Sequence, residues 1–122
     1  MELSESNVKD IQYVLEDSWS LKSSSKWSIY NPACGQCGVT SLVVNDLLGG
    51  EIRKTLLPEG WHFYNVIQGK RYDFTASQFA SKIVYEDCPS TREEAYNDTN
   101  LIQYRYLKEQ VYDRLNKNNV NK

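Results

Sequence analysis

The stretch GQCGVTSLVVNDLLGG, residues 35–50, determines most of what this sequence predicts. A helix whose apolar residues cover most of its circumference is buried on nearly all sides. The two glycines at the end of the stretch can adopt positive φ and so end a helix. We therefore expect a buried central helix that starts at Cys37. Its apolar residues are Val39, Leu42, Val43, Val44, Leu47 and Leu48.

The segments that follow this helix have the alternation and turn residues of an antiparallel sheet. Pro58-Glu59-Gly60 predicts one turn, and Gln68-Gly69 predicts a two-residue hairpin turn. A buried helix next to several short strands indicates an α+β fold in which helices pack against a sheet of three or four strands. Strands are predicted at residues 51–57, 61–67, 70–75 and 82–85.

The amino-terminal part of the chain, residues 1–18, predicts an amphipathic helix. Its apolar residues recur at helical spacing, and Ser6 or Asn7 is the expected N-cap. The apolar periodicity stops in residues 19–36, which are rich in serine. We expect a long loop there, and loops of this length in compact domains are usually functional or mobile.

The carboxy-terminal part, residues 91–116, predicts a second flanking helix. Asn97-Asp98-Thr99 is expected to break or kink it, and the polar tail 117–122 is expected to fray. Together these segments predict a single domain, residues 1–122, with a core at residues 37–88. The face of this helix expected to be buried carries Leu101, Tyr104, Leu107, Val111 and Leu115.

Composition excludes several classes of function. The 122 residues contain 14 basic and 16 acidic side chains, so the net charge of -2 makes nucleic acid an unlikely partner by electrostatics. No apolar run approaches the ~20 residues of a membrane span, and the first residues do not resemble a signal peptide. We expect a cytoplasmic protein, monomeric or weakly dimeric, that binds a small molecule or peptide and neither nucleic acid nor membrane.

Cys37 is the strongest candidate for a reactive residue. At the first turn of a helix, unpaired N–H groups and the helix dipole favour the thiolate. Gly35 and Gly38 flank Gln36-Cys37 and open the backbone, and the only histidine, His62, lies on a predicted strand downstream. Free cysteine is also a common buried filler, so the position alone does not decide between the two roles.

The register of the predicted hairpin places a carboxylate near His62. If residues 68–69 form the turn, counting back along both strands places Asp73 on the same face as His62. Such diagonal neighbours lie about 7–8 Å apart between Cα atoms, within reach of an imidazole and a carboxylate. The sequence thus predicts a catalytic triad in which Cys37 attacks, His62 moves the proton and Asp73 orients the ring.

Several short motifs in order resemble the YunG-like family of small bacterial proteins. The resemblance covers roughly residues 27–79, and Arg105-Tyr106-Leu107 is similar to the family's final helix. It implies Cys37, His62 and Asp73 as site residues, and adds Gln36, Asn65 and Thr75. The motifs are Gly-Gln-Cys at residues 35–37, Thr40, Gly-Gly-Glu at 49–51, His-Phe-Tyr-Asn at 62–65, Asp-Phe-Thr at 73–75 and Gln-Phe at 78–79.

The order Cys, His, Asp also resembles, more distantly, the transglutaminase-like and arylamine acetyltransferase branch of the papain-like fold. That resemblance implies a minimal papain-like core and a thiol hydrolase or acyltransferase acting on an amide, ester or thioester. We expect no cofactor and no metal. Acyl transfer needs an oxyanion donor near the helix start. The candidates are the backbone N–H of Cys37 and the side-chain amide of Gln36 or Asn31.

Three other functions remain open from the sequence. Cys34 and Cys37 form a C-x-x-C, which is compatible with a dithiol redox site. Cys34, Cys37, His62 and Cys88 have the number and type of ligands of a structural zinc site. A non-catalytic module could instead bind a peptide or small ligand in an aromatic groove formed by Trp19, Trp27, Tyr30, Trp61 and Tyr64.

Overall fold

The structure, a computed structural model, describes the backbone of residues 3–120 and the side chains up to residue 117. It is an α+β arrangement, as predicted, with helices packed against one small antiparallel sheet. The helices are α1 (Glu5–Ser18), α2 (Cys37–Leu48), α3 (Arg92–Tyr96) and α4 (Leu101–Val120). The strands are β1 (Glu51–Leu57), β2 (Gly60–Ile67), β3 (Lys70–Tyr72) and β4 (Cys88–Pro89).

The four strands lie in the order β3-β2-β1-β4. Gln68 and Gly69 form the predicted hairpin turn, with φ of 53° and 78°, and Ile67 pairs with Lys70 as the register requires. Strand β3 ends at Tyr72, three residues before the predicted end, because the Asp73 carboxylate accepts the backbone N–H of Thr75 and turns the chain away from the sheet.

The predicted strand at residues 82–85 is wrong. This segment has no regular secondary structure and is held by contacts outside any strand ladder. Tyr85 donates its hydroxyl to Asp73, and the Glu86 N–H is donated to Thr55 Oγ1. The fourth strand is β4, in which Cys88 pairs with Lys54 of β1.

Helix α2 is the central element, as the sequence predicted. Every residue from Cys37 to Val44 is buried, and one side of the helix packs on β2 while α1 and α4 cover other sides. The Trp19 indole N–H is donated to Thr40 Oγ1 at 2.9 Å, which connects the end of α1 to α2. Because α2 is packed on several sides, its first residue, Cys37, has a fixed position relative to the sheet.

The flanking helices differ from expectation at their ends. Helix α1 begins two or three residues earlier than the predicted N-caps imply, because Ser4 rather than Ser6 or Asn7 is the N-cap and accepts the Asn7 N–H at 3.1 Å. The break between α3 and α4 confirms the predicted interruption. The prediction that the tail frays is wrong for residues 117–120, which belong to α4. Residues 121–122 lie outside the described part of the chain. Leu101 was expected to be buried but is exposed at the start of α4.

Within the described residues, no helix combines the length and apolarity that crossing a membrane requires.

Candidate functional site

Cys37 is the first residue of α2, and its backbone environment is supplied by a distant residue. Gln36, the N-cap, makes no side-chain capping hydrogen bond. Asp98, in the break between α3 and α4, takes that role: its Oδ2 accepts the Gly38 N–H at 3.1 Å. The same oxygen accepts the Cys37 thiol at 3.5 Å. A carboxylate thus caps the helix that carries the thiol.

Gly38 makes this approach possible. A Cβ atom at position 38 would lie 2.6 Å from both Cβ and Oδ2 of Asp98, and 2.8 Å from the Ala95 carbonyl oxygen. Real Cβ contacts do not come this close, so any side chain at position 38 would push the α3–α4 break away from α2. The sequence suggested that Gly38 leaves the backbone open to close approach. In the structure, Asp98 occupies the space beside this glycine.

The predicted thiolate is contradicted by this environment. Burial raises the pKa of Cys37 from an ordinary 9.0 to about 12, and the Asp98 carboxylate adds to the effect. The backbone N–H of Phe63 acts in the opposite direction and is outweighed. The helix dipole was the basis of the prediction, but the nearby negative charge occupies the helix end where a thiolate would be stabilised. Cys37 is therefore a neutral thiol in this structure.

The side chains of His62 and Asp73 are in contact, as the hairpin register predicted. His62 Nε2 lies 2.6 Å from Asp73 Oδ2, and the two side chains are only 3% and 5% exposed. Nδ1 of His62 makes no hydrogen bond with the described residues. With Nε2–H donated to the carboxylate, the lone pair on Nδ1 is available to accept a proton.

Asp73 is held on both oxygens. Its Oδ2 also accepts the Tyr85 hydroxyl at 2.7 Å, while its Oδ1 accepts the N–H and the hydroxyl of Thr75. Phe79 packs edge-on against the imidazole of His62, with ring centroids 4.8 Å apart. These contacts restrict the imidazole to one orientation.

The described residues show no hydrogen bond between the Cys37 thiol and His62. On β2, Phe63 and Asn65 face α2, and strand alternation turns His62 towards the opposite face. The thiol nevertheless contacts the backbone of Phe63, the residue that follows His62. The thiol and the imidazole thus lie on opposite faces of β2, near the same residues of the strand, and make no hydrogen bond with each other.

The remaining predicted residues have separate roles. Asn65 donates its amide to the Ser41 carbonyl oxygen inside α2, and Asn31 donates its amide to the Gln78 carbonyl oxygen, so both hold elements together. Thr75 supports Asp73. Gln36 is fully buried, and neither its amide nitrogen nor its amide oxygen has a hydrogen-bond partner among the described residues. Such an atom pair is costly unless something else binds it.

The zinc alternative does not assemble. Among the described residues, no group of three or more His, Cys, Asp or Glu side chains is placed to hold a metal ion. Cys88 lies on β4 next to Lys54, whereas His62 belongs to the Asp73 network. Cys34, Cys37 and Cys88 are all free thiols, so the C-x-x-C forms no disulfide here.

The aromatic groove is also different from the prediction. Trp19 and Tyr64 are buried in the fold, and Tyr30 is 95% exposed. Trp61 instead lines a cleft of about 310 Å³ that opens beside Asp98. We call this the Trp61 cleft; its walls are Lys54, Trp61, Phe63, Glu94, Asn97 and Asp98.

Asp98 and Tyr85 are the functional candidates that the sequence reasoning missed. Asp98 was noted only as part of a helix break, yet an acidic residue in a break can cap a neighbouring helix. Tyr85 was assigned to a strand. Nothing in the local sequence pattern connects either residue to Cys37 or to Asp73.

A buried helix that begins with a cysteine, next to a sheet that carries a buried His–Asp pair, defines a small α+β protein with one candidate site. Comparison with known proteins agrees with the motif resemblance. The sequence model of the YunG protein family matches residues 7–116, and the chain therefore belongs to this family. It is 54% identical over 102 residues to the uncharacterized protein YunG of Bacillus subtilis (strain 168), covering 84% of this chain and 89% of that protein. No solved structure matches the chain.

Proposed function

We propose that this protein is a cysteine-nucleophile hydrolase or acyltransferase that acts on an amide, ester or thioester of a small molecule or peptide. The observation that carries the proposal is the buried His62–Asp73 pair at 2.6 Å, whose carboxylate is held by three further hydrogen bonds. A histidine oriented in this way is the usual activator of a thiol. The order of Cys37, His62 and Asp73 supports a papain-like core as the evolutionary setting of the proposal.

In the proposed reaction, Nδ1 of His62 takes the thiol proton and the Cys37 sulfur forms a bond to the carbonyl carbon. The bond to the leaving nitrogen, oxygen or sulfur then breaks, and the leaving group takes the proton from His62. A thioester on Cys37 remains. Water, or another acceptor, attacks the thioester, gives its proton to His62 and releases the acyl group while the thiol is restored.

Gln36 supplies the second part of the proposed machinery. Its buried amide has no partner, and it directly precedes the nucleophile. In the proposed reaction the amide N–H, together with the backbone N–H of Cys37, donates to the oxygen that becomes negative. A substrate would then satisfy the polar atoms that the folded protein leaves unpaired.

Under this proposal, the conformation described above is a resting state. The thiol is bound to Asp98 and is neutral, so it must leave Asp98 and approach Nδ1 of His62 before it can attack. The thiol already contacts the backbone of Phe63, the residue that follows His62, but the two reactive groups lie on opposite faces of β2. Because the imidazole lies on the opposite face of β2, the proposal requires a rearrangement around the first turn of α2 and the start of β2 that brings both groups to the same side of the strand.

Covalent trapping tests the proposal most directly. The protein is incubated with a panel of p-nitrophenyl esters, anilides and aryl thioesters, and the acyl adduct is located by mass spectrometry. We expect an adduct on Cys37 that Cys37→Ala abolishes and His62→Gln reduces by about 10²-fold or more. Cys34→Ala is the matched control and retains the adduct. Turnover that survives Cys37→Ala would contradict the proposal.

One observation favours a second function, a non-catalytic binding module. Burial raises the pKa of the Cys37 thiol to about 12, which is typical of an inert cysteine, while the Trp61 cleft remains open to a ligand. Under this alternative, ligands bind with equal affinity to the wild type and to Cys37→Ala, and no electrophile labels Cys37 selectively. Calorimetric titration of both proteins separates the two functions.

A further inference from the structure

The Asp98 carboxylate has one oxygen engaged and one free. Oδ2 accepts the Cys37 thiol and the Gly38 N–H, whereas Oδ1 accepts no hydrogen bond from the described residues. Asp98 also has no ion-pair partner in the described part of the chain; Lys26 and His62 act on it only from longer range. Asp98 is exposed, so its free oxygen is accessible to an ammonium group, which can form a charge-assisted hydrogen bond with it.

The Trp61 cleft next to this oxygen has the walls and the charge for a cationic ligand. It already holds one ammonium group: Lys54 Nζ lies 4.3 Å from the Trp61 ring centroid and 2.7 Å from Glu94 Oε2. Because Lys54 and Glu94 neutralise each other, the ionised Asp98 leaves the cleft with an excess of one negative charge. Aromatic rings and a single carboxylate together favour a monocation with an apolar part.

The position of Asp98 relative to the thiol limits which cation fits. Oδ2 is 3.5 Å from Cys37 Sγ, so a group bound to this carboxylate lies beside the sulfur. In an aminoacyl compound, the α-nitrogen is about 2.5 Å from the carbonyl carbon, from standard bond lengths and angles. An α-ammonium on Asp98 would therefore bring its own carbonyl carbon to the sulfur, whereas a distant amine would not.

We propose that Asp98 binds the α-ammonium group of an aminoacyl substrate and that the Trp61 cleft receives the substrate side chain. The proposal rests on the proposed function and names its substrate class: amides or esters of an amino acid or peptide with a free amino terminus. Gln36 would then face the carbonyl oxygen, and the group that leaves would lie on the side of the carbonyl away from Asp98.

Substrate binding also activates the nucleophile in this arrangement. The ammonium neutralises the carboxylate that adds to the effect of burial on the pKa of the Cys37 thiol, and it competes with the thiol for Asp98. The thiol is then released from Asp98, and the rearrangement that brings it to the same side of β2 as His62 allows it to give up its proton. A bound cation thus removes the contact that maintains the resting state, and substrates without a cation leave the thiol on Asp98.

An alkylation experiment tests the ammonium site without a substrate. Iodoacetamide is added to the full-length protein with 3-methylbutylamine or, as the matched neutral compound, 3-methylbutan-1-ol, and the rate at Cys37 is followed by peptide mass mapping. The amine is expected to raise the Cys37 rate about tenfold, equal to one unit in the thiol pKa, and the alcohol to leave it unchanged. In Asp98→Asn the rate is high without amine and does not respond. Asp113→Asn, an exposed carboxylate on α4, responds like the wild type.

An equal effect of amine and alcohol, or an amine response that survives Asp98→Asn, would overturn the ammonium site. A turnover experiment separates this result from the proposed function. L-leucine p-nitroanilide is expected to be cleaved at least 10²-fold faster than its N-acetyl derivative, on the scale of a lost charged contact. Equal, Cys37-dependent cleavage of both would overturn the ammonium site and leave the proposed function intact. An amine effect on alkylation with no Cys37-dependent turnover of any substrate would support the site and contradict the function.

Discussion

The Sγ atom of Cys37 lies 3.5 Å from Oδ2 of Asp98, and the same oxygen accepts the backbone N–H of Gly38. One carboxylate therefore has two effects on α2 that oppose each other in a reactive site. It stabilises the helix by satisfying an unpaired donor, and it opposes ionisation of the thiol that the helix carries. Removing the charge should separate the two effects.

Asp98→Asn is expected to make Cys37 more reactive. The change removes the negative charge that raises the thiol pKa, while the asparagine oxygen can still accept the Gly38 N–H. We expect the alkylation rate of Cys37 at pH 8 to rise at least tenfold, with a loss of stability of no more than about 1 kcal/mol from weaker capping. The rate is measured with iodoacetamide and the stability by urea unfolding, with Asp113→Asn as the control. An unchanged rate would show that burial alone protects the thiol.

The raised pKa of Cys37 predicts a loss of stability at alkaline pH. The thiol titrates near 9.0 when unfolded and near 12 when folded, so the folded state holds the proton more strongly. Stability from this group is fully present below pH 9 and is lost as the pH rises towards 12, with a limiting slope of about 1.4 kcal/mol per pH unit. The free energy of unfolding from pH 8 to pH 10.5 should fall less steeply in Cys37→Ala than in the wild type.

Cys34→Ala is the matched control for the alkaline measurement, because Cys34 is only partly buried and forms no disulfide. It should follow the wild-type pH dependence. Tyr64 and Tyr85 also have raised pKa values, chiefly from burial, and contribute to the alkaline slope in all three proteins. Parallel curves for wild type and Cys37→Ala would mean that the thiol is not shielded as the structure shows.

The substitution Gln36→Met tests the role of Gln36 in the reaction separately from its effect on the free energy of unfolding. The buried amide has no partner for either polar atom, so an apolar side chain of similar length should relieve its desolvation and raise the free energy of unfolding by about 1 kcal/mol. If the amide stabilises the oxyanion, turnover of the substrate that labels Cys37 falls by about 10²-fold at the same time. A more stable protein with full turnover would show that Gln36 has no part in the reaction.

The sequence predicted the parts of the site that depend on local geometry. The burial of α2 follows from its apolar circumference, and the His62–Asp73 contact follows from a two-residue turn and the period of a strand. Both quantities are encoded within a few residues of the side chains concerned. That is why the register was correct even though β3 is shorter than expected.

The environment of the thiol could not be predicted in the same way. It depends on Asp98, which is 61 positions from Cys37 in the chain and reaches it only because α3 and α4 fold back over the start of α2. The irregular segment around Tyr85 is a similar case, since its hydrogen bond to Asp73 depends on tertiary packing and not on a local period. Helix dipole arguments use the helix alone, and here a distant carboxylate reverses their result.

Asp73→Asn is expected to disturb the orientation and tautomer of His62. In the wild type the carboxylate accepts a hydrogen bond from Nε2, which fixes the proton on that nitrogen and leaves Nδ1 unprotonated. An asparagine can present its amide nitrogen to Nε2 instead, which favours the other tautomer or a mixture. Because His62 is the only histidine in the chain, its two ring ¹⁵N signals can be assigned without ambiguity by long-range ¹H–¹⁵N spectra at pH 8.

We expect the Nε2–H pattern in the wild type and its loss in Asp73→Asn, with a decrease in turnover of about 10²- to 10⁴-fold. Asp87→Asn removes an exposed ion pair with Arg71 on the same sheet face and keeps an oxygen that can accept the Tyr64 hydroxyl, so it should keep the wild-type pattern. If Asp73→Asn also retained the Nε2–H pattern, the carboxylate would not set the tautomer, and the proposed role of His62 as the base would lose its structural support.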